Sequence, residues 1–310
     1  MIVFRADFSP QTGLQPLRRC AYLTSLLKKS NEVLLCCRED KRATKFLSGQ
    51  KISFSLVKDP AEIDISAARA VIFDLASFAS QDAALLNKAK QAGIKTIQFL
   101  AAAAESQAAD IAVSPSAEPQ GALLHHKFRH FNKAKRKYRK KPALVFVNLG
   151  DMLSYRDLRQ VVDSLHRLHL RMKIAPGIGL KKADKRNLLK IYPGIHFCGK
   201  SESPARAYFE ADLALVVPGE FALEAAAVGT PALYMPLTKE QENLADAGVK
   251  LGTGVRIPSL ADFSLPNVRD AIMPLDQETR EKMGLAGKAL VDGLGVQRFL
   301  SILKEKGIIV

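Results

Sequence analysis

Gly219 and Glu224 hold the spacing in this chain that is best suited to chemistry. Residues 212–237 read as a strand, a tight turn at Pro218-Gly219, a helix, a break at Gly229-Thr230-Pro231 and a second strand. A glycine in a strand-to-helix turn lets the backbone N–H groups of the helix N-terminus face an anion. Glu224 sits one turn further in, where a carboxylate can accept hydrogen bonds from ribose hydroxyls; it also reads as a plain helix-face acid. Arg5 and Asp7, at the end of the first apolar run, read either as site residues or as an ion pair closing a strand. His125, His126 and His130 could supply a base. His166 and His169 have a three-residue spacing seen in metal sites. No third ligand accompanies them, so an amphipathic helix face is expected and no metal. His196, between Ile195 and Phe197, reads as a core histidine.

The elements that must position these residues alternate. Short apolar runs at 2–5, 33–37, 52–57, 70–73 and 94–99 read as strands buried on both faces, with helix patterns at 17–29, 40–47 and 81–92 between them. The pattern restarts after Pro142. Strands are expected at 143–147, 172–175, 195–197, 214–217 and 232–235, and helices at 155–170, 182–192, 203–210, 221–228 and 239–250. Helical patterns at 268–273, 276–291 and 296–306 complete the chain. Such alternation predicts an α/β protein of two doubly wound parallel-sheet, Rossmann-like domains, 1–140 and 142–310. Ligands of these sheets bind outside the carboxyl ends of the strands, so a site is expected in a cleft between the domains.

Composition narrows the class. The 310 residues are 47% hydrophobic and 25% charged, and no apolar run reaches the roughly 18–20 residues of a membrane span. The opening reads as a strand rather than a signal peptide. Cys20, Cys36, Cys37 and Cys198 lack metal spacing and are expected as free thiols, which points to the cytoplasm. The net charge of +15 implies anionic partners, and much of it lies in the basic segment 125–141. That segment reads as a solvated linker helix or as a peripheral contact with an acidic membrane face, where each Lys or Arg is worth about 1 kcal/mol. No nucleic-acid signature accompanies it, and nucleic acid is not expected as a partner.

The segment 212–237 resembles the nucleotide-sugar half-site of GT-B glycosyltransferases, whose motif runs Gly-Gly-Ser-Thr, Glu, Gly-x-Pro. The N-terminal string sharpens this: Arg5, Asp7, Ser9, Gly13, Arg19 and Cys20 fall without a gap on the opening of the UDP-sugar hydrolases of pseudaminic acid synthesis and their spore-coat-polysaccharide relatives. The 70–74 strand ending in Asp74, the 110–113 segment, and Phe197 to Gly199 also have counterparts. So do Glu224, Gly229, Pro231, Gln241 and Gly248.

The resemblance implies a GT-B fold whose last helix returns to the first domain. It also implies a UDP-type nucleotide sugar as ligand, and UDP-sugar hydrolysis or glycosyl transfer in surface-glycan or nonulosonic-acid synthesis, with no cofactor. Asp7 is the implied catalytic residue, with His125 a candidate base. Arg5, Gly13, Arg19, Gly150, Gly199, Gly219, Glu224 and Gln241 would bind the nucleotide sugar. The departures lie at the same positions. Gln15-Pro16 stands where the resembling proteins carry Gly-His, the His being their base, and proline has neither an ionisable group nor an N–H. Gly150-Asp-Met-Leu153, or a shortened Gly150-Asp151, replaces a Gly-Gly-Ser-Asp turn, Pro218-Gly-Glu-Phe221 replaces Gly-Gly-Ser-Thr, and His125 replaces an Arg. Drift confined to one site implies either altered chemistry or none, the latter being a nucleotide-sugar-binding or partner subunit.

Overall fold

The apolar runs pair in parallel into two six-stranded sheets. The structure is a computed structural model and describes all residues except 11, 101–108, 116–117, 152, 200–201 and 310; the alanine-rich stretch 101–104 and Lys200 therefore lie outside the described residues. The chain separates into two units, Met1–Leu123 with Gly295–Val310, and Leu124–Leu294.

The first unit contains β1 (Ile2–Ala6), α1 (Gln15–Leu27), β2 (Val33–Arg38), α2 (Lys41–Leu47), β3 (Phe54–Val57), β4 (Ala70–Asp74), α3 (Ser80–Gln91), β5 (Lys95–Phe99) and β6 (Ile111–Val113). The second runs from α4 (His126–Lys133) through β7 (Leu144–Asn148), α5 (Tyr155–Arg167), β8 (Arg171–Ile174), α6 (Lys182–Ile191), β9 (Ile195–Phe197), α7 (Pro204–Glu210) and β10 (Leu213–Val216). It continues with α8 (Glu220–Ala227), β11 (Ala232–Tyr234), α9 (Lys239–Lys250), β12 (Gly254–Arg256), α10 (Leu265–Ile272) and α11 (Gln277–Leu290). The last helix, α12 (Gly295–Glu305), belongs to the first unit, where Phe299 packs edge-on against Phe99 at 5.2 Å.

The sheet orders are β3-β2-β1-β4-β5-β6 and β12-β11-β10-β7-β8-β9. Each sheet winds outward from its first strand, reverses, and winds the other way. The reversal leaves a switch point between β1 and β4, and another between β7 and β10, where loops diverge and a crevice forms. Register aligns the strand ends there: Ala6 lies opposite Asp74, and Val216 opposite Asn148. The central strands β1, β4 and β10 are buried along their whole length. That burial on both faces is why they read as unbroken apolar runs.

The basic segment does not behave as a solvated linker. From Leu124 onward it belongs to the second unit, and its donors close helix C-termini, whose last carbonyls have no partner within the helix. Asn132 Nδ2 donates to Ala227 O at the end of α8, and to Lys288 O and Val291 O at the end of α11. The Arg136 guanidinium donates to Phe209 O at 2.8 Å and to Ala211 O at the end of α7, and Tyr138 Oη donates to Gly229 O at 2.9 Å. A cation at a helix C-terminus also suits the macrodipole. Beyond α4 the residues alternate: 134, 136 and 138 turn inward, while Lys133, Lys135, Lys137 and Arg139 are exposed. The sequence boundary near 140 and the structural one at Leu123/Leu124 differ because this segment is spent on the second unit's helices.

All four cysteines are thiols rather than disulfides; Cys20, Cys36 and Cys37 are buried and Cys198 is half-buried. Burial pushes the Cys36 thiol up to about 11 and those of Cys37 and Cys198 to about 12. These thiols stay protonated and unreactive.

Candidate functional site

In the first unit an ion-pair network fills the switch point. Arg5 is fully buried; its Nε donates to Asp82 at 2.8 Å and its two terminal nitrogens to both oxygens of Asp7 at 2.5 Å. Burial opposes the Arg5 charge, but the bond to Asp7 and the charges of Asp7 and Asp82 outweigh it and raise its pKa. Asp7 also accepts the backbone N–H of Arg38 at 2.7 Å, and the half-exposed Arg38 guanidinium pairs with Asp82 at 3.3 Å, so Asp7 and Arg38 are the members of this network that reach the surface. Arg19 holds Asp74 through two 2.8 Å bonds, with both side chains nearly buried. Arg5 and Arg19, expected as ligand contacts, therefore orient carboxylates.

Gly13 has φ +61°, and the turn closes on itself through a Ser9–Gly13 bridge and a Thr12 N–H to Ser9 Oγ bond. Pro16 is buried in the first turn of α1, where its fixed φ suits the helix and its missing N–H leaves one donor fewer.

In the second unit the turns after β7 and β10 meet. Gly150 (φ +74°) and Gly219 (φ +116°) adopt backbone conformations that favour glycine. Phe221 packs on the first of them: a Cβ at Gly150 would lie 3.2 Å from its ring. Gly177 presses on the same turn, since a Cβ there would come within 2.6 Å of the Gly150 carbonyl oxygen, and Asp151 Oδ1 accepts the Ile178 N–H at 3.3 Å. Gly219 precedes α8, which carries Glu220 in its first turn and half-buried Glu224 one turn on.

Glu224 is bonded to the hydroxyl of the fully buried Tyr208, which also takes Asn148 Nδ2 at 3.0 Å. Burial, and then the charge of Glu224, pushes the Tyr208 phenol well above its usual range. The result is a chain, Asn148–Tyr208–Glu224, that fixes the carboxylate.

The other expected site residues are placed differently. Gln241 Oε1 accepts the Leu237 N–H at 2.7 Å and so fastens the turn before α9. Gly199 lies exposed beyond the edge strand β9, with its N–H on Glu202 at 3.4 Å. His125 caps α4: its Nδ1 accepts the Lys127 N–H at 3.2 Å, and burial plus the charges of His126 and Lys127 lower its pKa to about 4. An imidazole with one nitrogen spent on a helix cap fits a positioning role better than that of a base. His196 is exposed, 3.3 Å from Glu202, because edge strand β9 has only one covered face; the core reading is corrected. His166 meets the Tyr192 ring edge-on at 5.5 Å, and no group of metal-ligating side chains occurs among the described residues.

Sequence reasoning missed Asp82, Arg38, Tyr208 and Gly177. Only Asp82 left a local signal, as an acid at the start of a helix pattern.

No protein-family model and no curated protein matches the chain. Solved structures do. MurG of Acinetobacter baumannii is similar over 98% of this chain and 99% of its own, at a TM-score of 0.68 and 14% identity. The fold is GT-B. The glycotransferase of kitacinnamycin is similar over 98% of both chains (TM-score 0.66, 13% identity). The UDP-GlcNAc 2-epimerase of Neisseria meningitidis, solved with UDP-GlcNAc, is similar over 98% of this chain and 100% of its own (TM-score 0.56, 12% identity).

Proposed function

We propose that this protein binds a UDP-type nucleotide sugar at the Gly150 and Gly219 turns and breaks the bond between its anomeric carbon and the diphosphate. The observation that carries this reading is Glu224, held by Tyr208 one turn behind a positive-φ glycine at the start of α8. The N–H groups of that helix start suit the diphosphate, and the carboxylate suits the ribose. Several solved neighbours carry UDP or UDP-GlcNAc, which supports the ligand class.

In the reaction, water or a sugar or lipid hydroxyl attacks the anomeric carbon, the carbon–oxygen bond to the diphosphate breaks, and UDP departs. The attacking hydroxyl gives up its proton to a carboxylate, the role that the resemblance implies for Asp7, whose oxygens Arg5 and the Arg38 N–H orient. With water the reaction is that of the UDP-sugar hydrolases which the N-terminal motif resembles. A second reading, binding without turnover, is favoured by Phe221 over Gly150 and by Pro16 in place of an imidazole.

Calorimetric titration with UDP and UDP-GlcNAc, followed by a UDP-release assay, tests both. UDP release that is abolished in Asp7→Asn supports the enzyme, and binding with no release supports the second reading. No binding of UDP or UDP-GlcNAc overturns both.

A further inference from the structure

Within the second unit, between α4 and α7, lies a cavity of about 680 Å3 that none of the residues of the Gly150 and Gly219 turns lines. Its floor is a chain of ion pairs. Lys173 bonds Glu202 and, at 3.1 Å, Glu210, which in turn takes Arg206 Nε at 2.6 Å. The α4 wall contributes His126 and His130, one turn apart, with the ring of Phe131 beside them. Ser203 Oγ on the floor is buried and has no hydrogen-bond partner among the described residues. Lys127 adds a third cation, so that among the Lys, Arg and Glu side chains three cations (Lys127, Lys173, Arg206) face two carboxylates (Glu202, Glu210), an excess of one cation.

A hydroxyl both donates and accepts, whereas a carboxylate only accepts and an ammonium or guanidinium only donates. A floor that alternates the two therefore matches a row of hydroxyls, and flat ring walls match the C–H face of a pyranose. Ser203 Oγ offers one further polar contact, and the excess cation takes one anion. The volume falls in the range of about 300–1,000 Å3 usual for small-ligand sites. We infer that this cavity binds a saccharide bearing one acidic group, a carboxylate or a phosphate. The site stands apart from the nucleotide turns and does not depend on the reading given for them.

Amide chemical-shift titrations of the full chain with glucuronate, glucose 1-phosphate, glucose and inorganic phosphate test it. The expected result is saturable shifts at Lys127, His130, Ser203 and Arg206 with glucuronate or glucose 1-phosphate, and Kd about tenfold or more higher for glucose. Whichever acid binds tighter identifies the group. Saturating UDP leaves these shifts unchanged, and the exposed-site variant Lys127→Glu and the small-for-small variant Ser203→Ala each weaken binding with an unchanged melting curve. Absence of saturable shifts at these residues overturns the inference. So does inorganic phosphate binding as tightly as glucose 1-phosphate, which would mark a plain anion site. Displacement by UDP would assign the saccharide to the nucleotide turns instead and likewise overturn it.

Discussion

Glu224 and Asp7 are each held by a buried partner, and that determines how their variants behave. Glu224→Ala should weaken UDP binding by about 1.5–3 kcal/mol, the range for a charge-assisted hydrogen bond, as read by calorimetry. Because the carboxylate also accepts the buried Tyr208 hydroxyl, the same variant should lose about 1 kcal/mol of stability in urea denaturation. An unchanged affinity in the folded variant would remove Glu224 from the site. Asp82→Ala leaves the Arg5 Nε without its carboxylate in a fully buried place. Breaking one side of such a pair costs about 3–5 kcal/mol, and a loss below about 1 kcal/mol would show that Asp7 alone compensates Arg5.

His125 gives a pH dependence of known sign. Its folded pKa of about 4 lies below its ordinary value, so the native state binds the proton less well than the unfolded chain does. Stability is fully present above about pH 6.5 and falls as pH drops toward 4. The partial exposure of the ring screens the effect. Melting curves of wild type and His125→Gln at pH 7.5 and pH 5 should show a smaller acid shift in the variant. Equal shifts would mean that His125 is not the titrating group.

Among the elements, the segment after α4 matters most, because one amide closes two helices. Asn132→Ala leaves three carbonyls at the ends of α8 and α11 without their donor. Each buried orphan acceptor costs roughly 1–3 kcal/mol, so urea denaturation should show a loss of at least about 2 kcal/mol. The exposed neighbour Lys135→Ala should change stability by less than about 0.5 kcal/mol. Similar losses in both would contradict the capping account.

For the whole molecule, the +15 charge and the alternating exposure of 133–141 matter together. With Arg136 and Tyr138 turned inward, Lys133, Lys135, Lys137, Lys140 and Lys141 face solvent as a row. No described helix is long and apolar enough to cross a membrane. Five such charges at about 1 kcal/mol each predict pelleting with phosphatidylserine vesicles that is lost as salt rises. Replacing all five by Gln should abolish it. Pelleting that survives the replacement would locate the contact elsewhere.

The residue string by itself determined the two parallel sheets, because strands buried on both faces must be apolar runs and the helices between them must punctuate those runs. Gly150 and Gly219 were legible for a similar reason, since positive φ after a strand selects glycine. The edge strands β6 and β12 were not: they are three residues long and only partly buried, so no periodicity builds up. Tertiary structure alone decided the partners. Arg5 to Asp82 spans 77 residues of chain, Asn132 to Val291 spans 159, and Asn148 to Tyr208 spans 60. A local pattern records what a residue is and which face it occupies. Which charge or carbonyl it meets is fixed only when the sheet winds and brings distant strand ends to one edge.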